Sequence, residues 1–310
     1  MDTSNPVKTR EYINHPIMKS DRWEAYNHRA GDIVITTSYK AGTTWMQTIV
    51  ANLIFQDGEM PHPVSFMSPW LDMDIEPLDE IIERLDAQDH RRFIKTHLPM
   101  DGIPYFDTMK YIYVCRDGRD VFMSLWNHHS GYSDDIRGLV GEKMKDMGMP
   151  PFPFDYDDIH AFYEDWISKS WFEWEDDGYP YWSHFHHLQS WWEHRRLPNI
   201  HFVHFADLLS DPEKAIRKIA AFLDIEIDEK QMPGILERIS FGSMKKNFMN
   251  IMPESEGIWK GGGDRFMNKG TNGRWRGVLT ENELNQYHLV VARDTTPDAA
   301  EWLEHGGDVN

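Results

Sequence analysis

The 310-residue sequence has a single cysteine, Cys115, so no intrachain disulfide can form. A reducing compartment suits such a chain. Basic residues are scarce beside acidic ones: 32 Lys and Arg against 51 Asp and Glu, a formal charge of −19. A field of that sign repels nucleic acid and anionic membrane surfaces, but not a small anion met by locally converging cations. No apolar run approaches the roughly 20 residues needed to span a bilayer, and Met1–Arg10 has no apolar signal core. Internal repeats and low-complexity tracts are also missing. These absences predict a cytoplasmic protein with neither a nucleic-acid nor a membrane partner. No metal is expected either: there is no H-E-x-x-H helix and no cysteine pair, and His184 and His187, one helical turn apart, do not make a site alone.

Apolar and aromatic residues are plentiful, 40% and 13% with 13 Trp, so a sizeable core is expected. No linker divides the chain, which predicts one domain over 1–310. Asp32–Thr37 is a β-branched run followed by a polar loop, and from Thr43 apolar residues recur at helical spacing. Arg92–Thr96, Tyr111–Cys115 and Ile200–Phe205 are further strand candidates. Helices are expected over Leu78–Ala87, Asp120–Asn127, Asp158–Trp174, Tyr181–Arg195, after Asp211-Pro212, over Glu229–Ile239 and twice near the end. Residues 130–157, rich in Gly, Pro, Asp and Met, read as a long excursion that acts as a lid. Polar residues stand immediately after three apolar runs, and ligands of open α/β sheets bind at the carboxyl ends of strands. The predicted fold class is therefore α/β, a mainly parallel central sheet flanked by helices.

Three polar clusters carry the chemistry. In Thr37-Ser38-Tyr39-Lys40-Ala41-Gly42-Thr43-Thr44-Trp45, a strand-to-helix turn offers unpaired helical N–H groups to an anion. Gly42 lets the backbone come close, Thr43 and Thr44 add hydroxyls, and Lys40 adds charge. The turn is P-loop-like, yet the G-x-x-x-x-G-K-[ST] spelling is absent because Lys40 precedes the glycine. Lys95 and His97 are two apart at a strand end and point to one side. A cation and an imidazole facing one cleft suit transfer of an anionic group. Arg116, at a third strand end, can fork a phosphate, with Ser124 about two helical turns on. Arg119 and Asp120 read as a surface pair or a helix cap. His128 or His129 would reach an acceptor pocket.

Together these clusters resemble the sulfotransferases that use 3′-phosphoadenosine 5′-phosphosulfate (PAPS). Tyr39–Trp45 is similar to that family's Y-P-K-S-G-T-T-W, with one residue fewer before the lysine and Ala41 for serine. Lys95–Pro99 matches K-T-H-L-P, and Tyr111–Ser124 resembles its strand–R-[ND]-x-[KR]-D-V-x-x-S segment. Ser240–Asn247 resembles S-F-x-x-M-K-x-N, and Phe266–Arg276 resembles F-x-R-K-G-x-x-G-D-W-K. The resemblance spans about 31–280. It implies that Lys40, Ala41, Gly42, Thr43 and Thr44 hold the 5′-phosphosulfate. Trp45 and Phe241 would flank the adenine, with Phe205 replacing an adenine-contacting tyrosine. Arg116, Ser124, Lys269 and Gly270 would hold the 3′-phosphate. His97 would be the base, with Lys95 near the sulfuryl group and Lys40 at the leaving phosphate. The family's arginine before Lys269 is Asn268 here, leaving Arg265 and Arg274 as substitutes.

The expected function is sulfuryl transfer from PAPS to a hydroxyl, or an amine, of a small acceptor, aromatic or not. A P-loop kinase using ATP and magnesium would need a lysine after the glycine. A non-catalytic nucleotide-binding protein stays open beside these, although Lys95 next to His97 argues against it. Neither the acceptor nor the oligomeric state follows from the sequence.

Overall fold

The computed structural model describes residues 5–309. Among these, four strands, β1 (Ile33–Thr37), β2 (Phe93–Thr96), β3 (Lys110–Cys115) and β4 (Ile200–His204), form one sheet in the order β2-β1-β3-β4. Every pairing is parallel, with Ile35 opposite Lys95 and Ile112, and Cys115 opposite His204. Connections from β1 run to β2 on one side, while β3 lies on the other. The order therefore reverses between β1 and β3, and a crevice opens above their carboxyl ends. Helix α1 (Thr43–Ile54) and the helix Gly118–His129 start there.

Alternation along the strands sends side chains to two different layers. Ile33, Ile35, Phe93, Ile112 and Val114 meet the aliphatic residues Ile49, Val50, Leu53, Ile216 and Ile219. Val34, Ile94, Tyr111, Tyr113 and Cys115 meet aromatic ones, including Phe122, Trp166, Phe185 and Trp191. A buried ion pair ties the strand starts together: Arg92 Nη2 to Asp32 Oδ2 is 2.5 Å and Arg92 Nε to Asp32 Oδ1 is 3.0 Å.

Several expected boundaries move. The helix expected over 120–127 runs Gly118–His129, because the Asp117 side chain caps it by accepting from Arg119 N. The aromatic helices are shorter than predicted, Ile159–Ser168 and His184–Trp192, and Asp158 and Ser183 cap them. Phe205 leaves the strand and opens the helix Phe205–Ser210. The 130–157 excursion is not all loop. It holds the helix Asp134–Asp146, which Ser133 caps and which buries Val140 and Met144.

Candidate active site

A cavity of about 560 Å³ opens at the carboxyl ends of the strands. Its lining includes Lys40, Gly42, Thr43, Thr44, Trp45, Lys95, His97, Arg116, Ser124, Phe205, Phe241, Lys269 and Gly270. Ala41 is the one predicted site residue outside that lining, and it is fully buried.

The turn after β1 is shaped by two left-handed residues. Lys40 has φ 65°, and Gly42, at the start of α1, has φ 123°. A Cβ on Gly42 would lie 3.0 Å from the Phe205 ring, so both conformation and space require glycine there. No side chain caps α1 and its first turn holds no acidic residue, which leaves its N–H groups for an anion. Thr43 Oγ1 is fixed by Thr37 Oγ1 at 2.7 Å.

His97 is buried, and its ring packs edge-on against Trp70 and Tyr39. Its Nδ1 donates to the Thr37 carbonyl at 2.8 Å. A carbonyl can only accept, so the proton sits on Nδ1 and Nε2 keeps its lone pair. Burial, then the charge of Lys95, pushes the His97 pKa down to about 3. Lys40 Nζ lies 3.2 Å from His128 Nδ1 and 3.8 Å from the centre of the Phe266 ring. Burial, Lys95 and Arg116 bring its pKa down to about 7. Lys95 is also lowered by burial, against the charges of Glu254 and Asp72. Three cations thus crowd one end of the cavity, and an anion is what would relieve them.

Arg116 lies over the Phe205 ring, 4.2 Å from its centre. Its Nη2 and Nε donate to the Thr271 carbonyl and to Asn272 Oδ1 at 2.8 and 2.9 Å. Burial brings its pKa down to about 10. Asp120 accepts from the backbone N–H groups of Gly273 and Arg274 at 2.8 and 3.2 Å. Arg119 pairs with Asp117 at 2.6 Å and lies over the Trp275 ring. Both residues are buried, which corrects the expectation of a surface pair: they pin the Gly-rich segment above Arg116. The two candidate substitutes for the arginine at Asn268 also separate. Arg265 donates to the Asn127 carbonyl and to Ser130 Oγ, away from the cavity lining. Arg274 lines the cavity near Arg116. Gly270, at φ 64°, lies flush on Phe241: a Cβ there would come within 2.4 Å of the ring.

The remaining wall is apolar. Ile17, Trp70, Met73 and Ile75 form one side, and Tyr132, Ile136, Leu139, Val140, Phe152 and Phe154 from the 130–157 segment form another. Tyr181, Met252, Ile258, Trp259 and Phe266 also line it, with Glu254 the acidic residue of the lining. Ser133 N donates to the Ile258 carbonyl and Lys260 N to the Gly131 carbonyl, which fastens the Gly-rich segment to this wall. Sequence reasoning picked out the 130–157 segment as a lid but neither Trp70 nor the individual residues of this wall, because isolated apolar positions carry no spacing signal. His184 is also placed differently from a metal ligand: Nδ1 meets Ser38 Oγ at 2.5 Å and Nε2 meets the Arg116 carbonyl at 3.0 Å, bridging the turns after β1 and β3.

The sequence compares directly with known proteins. The sulfotransferase domain family matches residues 30–299. A glycolipid sulfotransferase of Mycobacterium bovis is 30% identical over 323 residues, covering 99% of this chain and 98% of that one. Sulfotransferase 1B1 of Mus musculus is 29% identical over 282 residues, covering 88% and 85%. In fold, a mouse sulfotransferase complexed with PAP (3′-phosphoadenosine 5′-phosphate) superposes with a TM-score of 0.66 at 23% identity, covering 91% of this chain and 90% of that one. Retinol dehydratase in complex with androsterone and PAP gives 0.67 at 23% identity, covering 90% and 86%. The chain belongs to the sulfotransferase family. It is a PAPS-dependent enzyme of that family, with the α/β fold and parallel sheet expected from its sequence. Among the described residues no helix is long and apolar enough to cross a membrane.

Proposed function

We propose that the chain transfers the sulfuryl group of PAPS to the hydroxyl of an uncharged, apolar small molecule, with His97 as the base. The observation that carries this reading is the orientation of His97. Its Nδ1 is held by the Thr37 carbonyl, so the unprotonated Nε2 is the nitrogen left for an acceptor, in the same cavity as Lys40 and Lys95. The acceptor O–H gives its proton to Nε2 as the oxygen bonds to sulfur. The bond from sulfur to the 5′-phosphate oxygen breaks, and its electron pair leaves on that phosphate. Lys40, the Thr43 and Thr44 hydroxyls and the N-terminus of α1 stabilise the charge that builds there. Lys95 faces the sulfuryl oxygens. Donor negative charge beside His97 raises its pKa from about 3 toward the working range, so the base gains strength as the donor binds.

In the same reading Trp45 and Phe241 flank the adenine, with Phe205 against its edge. Arg116, Ser124, Lys269 and Gly270 hold the 3′-phosphate. Arg274 supplies the cation that Asn268 does not. The acceptor lies against the 130–157 wall, whose apolar and aromatic side chains suit an alcohol or phenol with an apolar body. The relatives agree with that chemistry: one is named for glycolipid, and another was solved with androsterone. A cytoplasmic location is part of the proposal, supported by one buried free thiol, Cys115.

Steady-state assay with PAPS and a panel of apolar alcohols and phenols, alongside calorimetric titration with PAP and with ATP and magnesium, tests this. PAP binding together with turnover of an apolar hydroxyl supports it. Preference for ATP, or turnover confined to charged acceptors, refutes it.

A further inference from the structure

We infer that His128 is a positioning residue: it seats the Lys40 ammonium at the donor end of the cavity and links it to the tyrosines of the acceptor wall. The inference rests on the proposed sulfuryl transfer. His128 is the penultimate residue of the Gly118–His129 helix, 3% exposed, and lines the cavity. Its two ring nitrogens have different partners. Nδ1 faces Lys40 Nζ at 3.2 Å, and Nε2 faces Tyr39 Oη at 2.8 Å. Tyr39 Oη in turn lies 3.2 Å from Tyr132 Oη.

The directions of these bonds follow from the donors. An ammonium can only donate, so Nδ1 accepts and the imidazole proton sits on Nε2, from which it goes to Tyr39 Oη. The ring acts as a neutral bridge. Burial first, then the charge of Lys40, holds its pKa well below 6.5, which keeps that form throughout the physiological range. The seat has a second part, the face of Phe266, 3.8 Å from Nζ. Lys40 has left-handed backbone, so its side chain is aimed by an uncommon turn that only a fixed partner would reward. Removing the acceptor nitrogen takes one hydrogen bond from the ammonium. Lys40 then loses both its aim and part of the stabilisation of its charged form.

Substitutions at His128 separate positioning from packing. His128→Phe keeps an aromatic ring and removes both polar contacts. His128→Asn loses ring volume but offers Oδ1 close to where Nδ1 stood. If the ring only fills space, Phe is the better replacement. If it seats Lys40, Asn is. The groups that bear on the titration are Lys95, Arg116 and His97 around Lys40, with His129, Arg265, Tyr39 and Tyr132 around His128.

The experiment is kcat and kcat/KM for PAPS as a function of pH, for wild type and both variants, each checked by thermal melting. The expected result is a kcat drop of about tenfold or more in His128→Phe. The basic limb of its kcat/KM profile, which reports the free enzyme and in the wild type falls with loss of the Lys40 proton near pH 7, moves to lower pH. In His128→Asn both kcat and the limb return partway. Wild-type rates with an unmoved limb in His128→Phe overturn the inference, as does a larger loss in Asn than in Phe. A wild type that binds no PAP and transfers no sulfuryl group overturns the proposed function instead.

Discussion

The two ends of the cavity are built in opposite ways. The end we propose for the donor comes largely from three short runs, 39–45, 95–97 and 116–124, each at the carboxyl end of a strand of one parallel sheet. The acceptor end comes from positions as scattered as Ile17, Trp70, Leu139, Phe154 and Trp259. The first is polar, carries Lys40, Lys95 and Arg116, and depends on directional contacts of a few atoms. The second is apolar and depends on shape. The comparison teaches that electrostatic chemistry is concentrated where backbone geometry is most constrained, while selectivity is spread over whatever packs around it.

The largest effect expected is at the donor end. His97→Ala should lower turnover on the order of 10²- to 10⁴-fold while PAP still binds, measured by steady-state rates and calorimetry. Undiminished turnover would break the division between the ends, because the base would have to come from elsewhere. Lys40→Ala should lose on the order of 10²-fold in turnover and weaken PAP as well. Arg274→Ala should reduce the preference for PAP over AMP by roughly tenfold, and Asn268→Arg in that background should restore it. An unchanged preference would leave the 3′-phosphate to Arg116, Ser124, Lys269 and Gly270 without Arg274.

A smaller effect is expected at the other end. Leu139, 38% exposed, lines the cavity at the protein surface. Leu139→Asp should raise KM for an apolar alcohol by about 3- to 10-fold and leave PAP affinity unchanged. A shift in PAP affinity would show that the two ends are coupled.

The smallest effect is on the stability of the buried layer around the cavity rather than on either end. His15 and His97 are pushed down to about 3, and His129 and His184 to about 4, in each case chiefly by burial. Unfolded, each titrates near its ordinary value of about 6.5. Between those limits the unfolded chain binds more protons, so stability falls as pH falls below about 6.5 and levels off only below the folded values. From pH 7 to 6 the loss is less than about 1 kcal/mol per ring, growing toward pH 4. Urea unfolding at pH 7, 6 and 5 measures it; stability that rose on acidification would contradict burial of these rings in neutral form.

Legibility in the sequence follows the same division. The four strands and the polar residues after them were readable, because β-branched runs and the residues ending them lie together in the chain. Helix ends were less so: Asp117, Asp158 and Ser183 set them by side-chain caps, which apolar periodicity does not register. Asp120 was misread because its partners, the N–H groups of Gly273 and Arg274, lie some 150 residues away. His128 was placed near an acceptor pocket, but its link to Lys40 depends on where two helix ends come to rest.

By itself the sequence determined the α/β class and the order of strand and turn, and it pointed to the residues we propose for the site. Those properties depend on local steric preference and on side-chain chemistry, both of which are properties of neighbours along the chain. Tertiary structure alone decided which nitrogen of His97 is left as a lone pair, which cation reaches the cavity beside Arg116, and which apolar residues wall the cavity. Each of those depends on contacts between residues far apart in sequence, and burial sets their strength once the chain has closed around them.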